Sequence, residues 1–141
     1  MMVGFPGETD AEVSELAAFL QEHRFEHLGT FAYANEEGCR AASLPDQVPE
    51  EVKEERLRRI MEVQAAISFE GLQRYVGTVE QVLVEGLSRE SDLLLEGRTR
   101  YQAPEIDGCV YLTKGKAEPG QFVEVTVTEA HTYDLVGEIN G

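Results

Sequence analysis

A chain of 141 residues with 42% apolar content can build one ordinary domain or two small ones around a real core, which excludes a disordered segment. Its 27 acidic residues against 12 basic give a net charge of −15, divided as −8 over residues 1–76 (15 acids, 7 bases) and −7 over residues 77–141 (12 acids, 5 bases). Neither half has a basic face able to neutralise many phosphates, so the overall field opposes non-specific nucleic-acid binding; it suits either a basic protein partner or solubility alone.

Gly4-Phe5-Pro6-Gly7-Glu8-Thr9 has the composition of a strand-to-helix turn, yet only Met1, Met2 and Val3 precede it. A parallel sheet is not opened by so short a strand, and the chain therefore reads as a cut through a larger protein. Thr9 and Glu12 form a capping box, and Val13, Leu16, Ala17 and Leu20 then recur at helical spacing, predicting a helix that ends near His23-Arg24. Leu28–Tyr33 is short and rich in β-formers, as expected of a buried strand, completing one βαβ unit. Asn35–Gly38 and Leu44-Pro45-Asp46 mark a long connection. Pro49, Glu50 and Glu51 suit the first turn of a long helix running to about Tyr75 and stopped by Gly77, with Leu57, Ile60, Met61 and Ile67 on its apolar side. Glu54→Arg58 and Glu55→Arg59 are correctly oriented i,i+4 pairs on it.

From Thr78 the period changes to two. Strands are predicted over 79–84, 92–98, 108–112, 122–128 and 134–138, with turns at Lys114-Gly115-Lys116 and Pro119-Gly120. Five short strands in this span predict a small closed or partly closed barrel of OB-like size.

The chemistry legible in the residues is sparse. Gly4 to Glu8 meets a helix N-terminus, whose amides and dipole can hold an anion or the polar groups of a cofactor. Glu8, Glu36 and Glu37 are candidates to converge at one end of the sheet. Cys39 and Cys109 lie 70 residues apart without a CxxC spacing, and His23, His27 and His131 form no ligand pattern, so no metal site and no catalytic residue is assigned. Thiols so spaced, without a secretory signal, are those of a reduced, cytoplasmic protein. No apolar run approaches the ~18 residues of a membrane span. In the barrel, Arg98, Arg100, Tyr101 and Tyr111 mix basic and aromatic groups, while Glu96, Glu105 and Asp107 surround them with acid; protein docking is favoured there over direct RNA binding.

Three segments, in order, resemble the radical S-adenosylmethionine methylthiotransferases. Val3–Thr9 resembles the loop after the fifth barrel strand of that family, Asp46–Arg56 the start of the helix leading out of its barrel, and the chain from about residue 77 its TRAM domain. Phe31–Gly38 is similar to the RimO-type branch, which methylthiolates an aspartate of small-subunit ribosomal protein twelve; the tRNA-modifying branch usually carries Arg-Pro-Gly where this chain has Glu36-Glu37-Gly38. Gly97–Gly108 and Tyr133–Glu138 resemble the ribosomal-protein branch too, and the acidic charge agrees with a basic substrate.

The resemblance implies a mixed α+β fold: the truncated βαβ end of a partial TIM barrel (1–47), a connecting helix (48–76) and a five-stranded TRAM barrel (77–141). It implies that Gly4, Phe5, Pro6, Gly7 and Glu8 contribute to the S-adenosylmethionine pocket and that Arg98, Arg100, Tyr101, Glu105 and Asp107 dock the basic ribosomal protein. The alternatives are a fragment of a tRNA adenosine methylthiotransferase of the MiaB-type branch and a stand-alone, non-catalytic module that binds protein or RNA. In the full-length parent, S-adenosylmethionine and two 4Fe-4S clusters are implied; the CxxxCxxC motif and the three further cluster cysteines are not in this sequence, so this chain alone is expected to hold neither cluster and to be inactive. Cys39 stands where the family often has Thr.

Overall fold

A computed structural model describes residues 1–141, which divide into two compact units, Met1–Ile67 and Ser68–Gly141. The elements of the first are β1 (Met2–Val3), α1 (Asp10–His23), β2 (Phe31–Ala32), a 3-10 turn (Arg40–Ser43) and most of α2 (Glu50–Gln73), within which the division falls. The second holds the end of α2 and β3 (Val79–Leu87), β4 (Leu95–Thr99), β5 (Val110–Lys114), β6 (Phe122–Ala130) and β7 (Leu135–Ile139).

The capping box forms as its sequence predicts. Thr9 accepts from the Glu12 amide, and the Glu12 carboxylate accepts from the Thr9 amide at 2.7 Å. Arg24, left-handed at φ 51°, ends α1 by donating its amide to the Leu20 carbonyl. Val13, Ala17 and Leu20 are buried along one stripe and pack with Val3, Ile60 and Ile67.

β1 and β2 pair in parallel, Met2 with Phe31 and Val3 with Ala32, so the βαβ connection exists. The buried strand expected over Leu28–Tyr33 is cut to two residues, and Phe31 is 60% exposed. The reason is geometric: β2 has a single neighbour two residues long, leaving the flanking residues without a ladder to flatten them. The expected pairs of Glu54 with Arg58 and Glu55 with Arg59 are also replaced. Arg58 pairs forward with Glu62 at 2.7 Å, and Arg59 reaches across to the Ser14 hydroxyl on α1.

The second unit is a closed barrel in the order β3-β4-β5-β7-β6, with β6 returning to β3. All neighbours are antiparallel except β5 and β7. Alternation puts Val82, Val84, Val110, Leu112, Val125, Val127 and Leu135 inside, and Leu72 of α2 joins them. Register shifts at Val84/Gly86, Leu112/Lys114 and Val127/Glu129 supply the bends that let so few strands close. Closure also needs glycine where strands approach: a Cβ at Gly97 would lie 2.4 Å from the Leu83 carbonyl oxygen, and one at Gly137 would lie 2.4 Å from Val125 Cγ1.

Candidate functional site

The turn from Gly4 to Glu8 is built by two left-handed glycines, Gly4 at φ 78° and Gly7 at φ 85°. The Glu8 amide donates to the Phe5 carbonyl, and the Gly7 amide donates to the carbonyl of Asp46, tying the turn to the approach of α2. The Gly4 amide donates to Glu8 Oε1 at 2.8 Å. Together with the Thr9 amide spent in the capping box, four donors in this stretch are consumed inside the fold. These four amides are therefore not on offer to an anion, which needs donors that point outward.

The Glu8 carboxylate does not converge with Glu36 and Glu37. Its Oε1 also accepts from Arg56 Nη1 at 3.0 Å, whereas Glu36 and Glu37 are exposed in the loop after β2. Arg56 Nη1 further donates to the Glu8 carbonyl and Nη2 to Asp10 Oδ1 at 2.8 Å. Burial pulls the Arg56 guanidinium down, but the hydrogen bonds to Asp10 and Glu8 outweigh it and hold the group above its ordinary value. Phe5 packs edge-on against Tyr33, whose hydroxyl is buried without a hydrogen-bond partner. Lys53, fully buried, places its ammonium 5.3 Å from the Tyr33 ring centroid.

Lys53 and Arg56 were given no role by sequence reasoning. The signal lay in the helical spacing, since both fall on the stripe continued by Ile60, where a cation is out of place unless something buried calls for it.

On the barrel, Arg98 and Arg100 line one groove with Gln81, Glu80, Phe122 and Glu124. Arg98 donates from Nε to Glu85 at 2.8 Å, so its charge is shared with acid. Arg100 lies over the Tyr101 ring, 4.8 Å from its centroid, and donates to the Tyr101 hydroxyl. That hydrogen bond, first, and the neighbouring charges hold Arg100 above its ordinary value. Tyr101 packs 6.0 Å from Tyr75, itself beneath Arg74. Glu105, left-handed at φ 64°, pairs loosely with Arg89, and Asp107 accepts from the Ala103 amide; both line a second recess with Glu85, Glu90, Glu96 and Asp134. Tyr111 lines that second recess beside Cys109, and Arg98 reaches it too along with Arg89; only Arg100 of the basic pair stands apart from Tyr111, in the first groove.

Residues 76–139 match the TRAM domain family. The chain is 49% identical over 138 residues to the ribosomal protein uS12 methylthiotransferase RimO of Desulfotalea psychrophila, 52% over 138 to that of Syntrophotalea carbinolica and 50% over 139 to that of Geobacter sulfurreducens. These alignments cover 98–99% of this chain. Nearly the whole chain is thus similar to part of these RimO proteins, and its residues 76–139 match the TRAM domain. The chain spans about 31% of the length of the relatives it matches. The RimO similarity extends through both compact units, so it includes the Gly4–Glu8 turn as well as the TRAM barrel. No group of three or more His, Cys, Asp and Glu side chains is gathered as a metal ion would require, and no helix is long and apolar enough to cross a membrane.

Proposed function

We propose that this chain is the C-terminal portion of a radical S-adenosylmethionine methylthiotransferase acting on an aspartate of ribosomal protein uS12. The observation that carries the proposal is the near-50% identity to RimO proteins along 98% of the chain. Within it, Gly4, Phe5, Pro6, Gly7 and Glu8 line part of the S-adenosylmethionine pocket. The donor set suits the cationic end of that cofactor: with its amides engaged in the fold, the turn's acceptors for an ammonium are the carbonyls of Gly4, Pro6 and Gly7, those of Phe5 and Glu8 already accepting from the Glu8 amide and Arg56. A Cβ at Gly7 would meet nothing within 4 Å, leaving room for a ligand to approach the backbone. Bound S-adenosylmethionine, with an iron-sulfur cluster held by other parts of the enzyme, would supply the radical chemistry, and this chain's part is to seat and orient it.

The TRAM barrel docks the protein substrate. Its net charge is −7 over residues 77–141, and its recess edged by Glu105 and Asp107 suits a basic ribosomal protein. Arg98, Arg100 and Tyr101 contribute hydrogen bonding and stacking at the neighbouring groove. One observation favours a second reading: the paired Arg74–Tyr75 and Arg100–Tyr101 stacks are of the kind that hold unpaired bases, as tRNA docking would require. A pull-down with the chain immobilised separates the two. Retention of uS12 with little tRNA is expected; tRNA retained in preference, and released steeply by salt, rejects the ribosomal-protein assignment.

A further inference from the structure

Few cations are available to this acidic chain, and two of them are almost fully buried against one turn. Lys53 is 1% exposed and Arg56 8%, three residues apart on α2, and both face the connection from Gly4 to Asp10. Removing a cation from water is costly unless every donor has a purpose, and a buried ion pair is commonly no more stable than well-packed apolar groups. Stability alone is therefore a poor reason for this arrangement.

The geometry supplies another reason. A single oxygen, Glu8 Oε1, accepts from the Gly4 amide at the start of the turn and from Arg56 at its end. Arg56 also holds the Glu8 carbonyl and the Asp10 carboxylate, so one planar guanidinium spans the junction between turn and helix. The stem of Lys53 occupies the space in front of Gly4, where a Cβ would come within 2.5 Å of Lys53 Cγ. Its ammonium is anchored by Glu50.

We propose that Arg56 is a positioning residue for the cofactor: through Glu8 and with the Lys53 stem as backstop, it fixes the Gly4–Glu8 turn in the shape that seats S-adenosylmethionine. The proposal rests on the reading of that turn as part of the cofactor pocket. In the intact, cluster-loaded methylthiotransferase carrying this sequence, Arg56→Ala is expected to raise the KM for S-adenosylmethionine about tenfold, as loss of a charge-assisted bond implies, with the KM for the protein substrate changed less than about twofold. Arg56→Lys, which keeps the charge and one donor, recovers part of the loss.

Hydrogen exchange on the present chain gives a readout that needs no cofactor. In Arg56→Ala the Gly4 amide should exchange about tenfold faster while the amides of Val13 to Leu20 keep their rates. Unchanged exchange at Gly4, or equal acceleration throughout α1, overturns the positioning role. Gly7→Ala, strained by its left-handed backbone, separates the two readings: weakened cofactor binding by Gly7→Ala without any by Arg56→Ala rejects the positioning role alone, and no weakening by either rejects the cofactor reading with it.

Discussion

The two thiols differ because their surroundings do. Cys39 is exposed, whereas Cys109 is half-buried beside Asp134 and Tyr111; burial first, then the Asp134 and Glu96 charges, push its thiol up to about 11 against the opposing pull of the Tyr111 hydrogen bond. Burial also pushes the Tyr111 phenol up, aided by the Cys109 thiol. At pH 8 a thiol titrating near 11 is only ~0.1% thiolate. Iodoacetamide at that pH should modify Cys39 first, with mass spectrometry locating the label, and early labelling of Cys109 would contradict this assignment. Thr9 offers a second test. Thr9→Ala removes the cap and should cost ~1 kcal/mol in thermal or urea unfolding. The Glu12 carboxylate is held below its ordinary 4.5 by the Thr9 amide and then the Thr9 hydroxyl. Because the folded value is the lower one, this contribution is present above pH 4.5 and lost as pH falls through the folded value, and the Thr9→Ala difference should shrink in acid.

Among the elements, closely approaching strands make the barrel's glycines unequal to that of the helix. Gly97→Ala pushes a methyl into the Leu83 backbone and Val82, and Gly137→Ala into Val125 and Thr126; each should cost ~1–3 kcal/mol, measured by denaturant unfolding. Gly71 in α2 has nothing within 4 Å of its would-be Cβ, and Gly71→Ala should instead stabilise by ~0.5–1 kcal/mol. The same elements separate what periodicity reveals from what it hides. The alternation at Val82/Val84 and Val125/Val127 made β3 and β6 legible, and the capping box placed the start of α1 at the correct residue. β2 was not legible to its true length, since Leu28–Tyr33 has strand composition and only a neighbouring strand decides how much of it forms a ladder.

For the whole chain, the contrast between a closed barrel and a two-residue parallel ladder governs local stability. Met1, Met2, Phe5, Phe19, Phe25 and Phe31 are substantially exposed in the first unit, and its sheet has two register pairs, while every barrel strand has two neighbours. Hydrogen exchange should be faster across residues 1–45 than in the strands between 78 and 139; equal protection in both would show that the first unit is as well anchored as the barrel. Composition and spacing alone determined the −15 charge, the capping box, the five-strand count and the placing of glycines at tight turns, because those depend on residue type and local period. Only the tertiary structure decided that Arg56 grips Glu8 from 48 residues away, that the turn's amides face inward, and that Arg98 shares its charge with Glu85. Partners so distant in sequence are chosen by how helices and strands come together, and no local pattern records that choice.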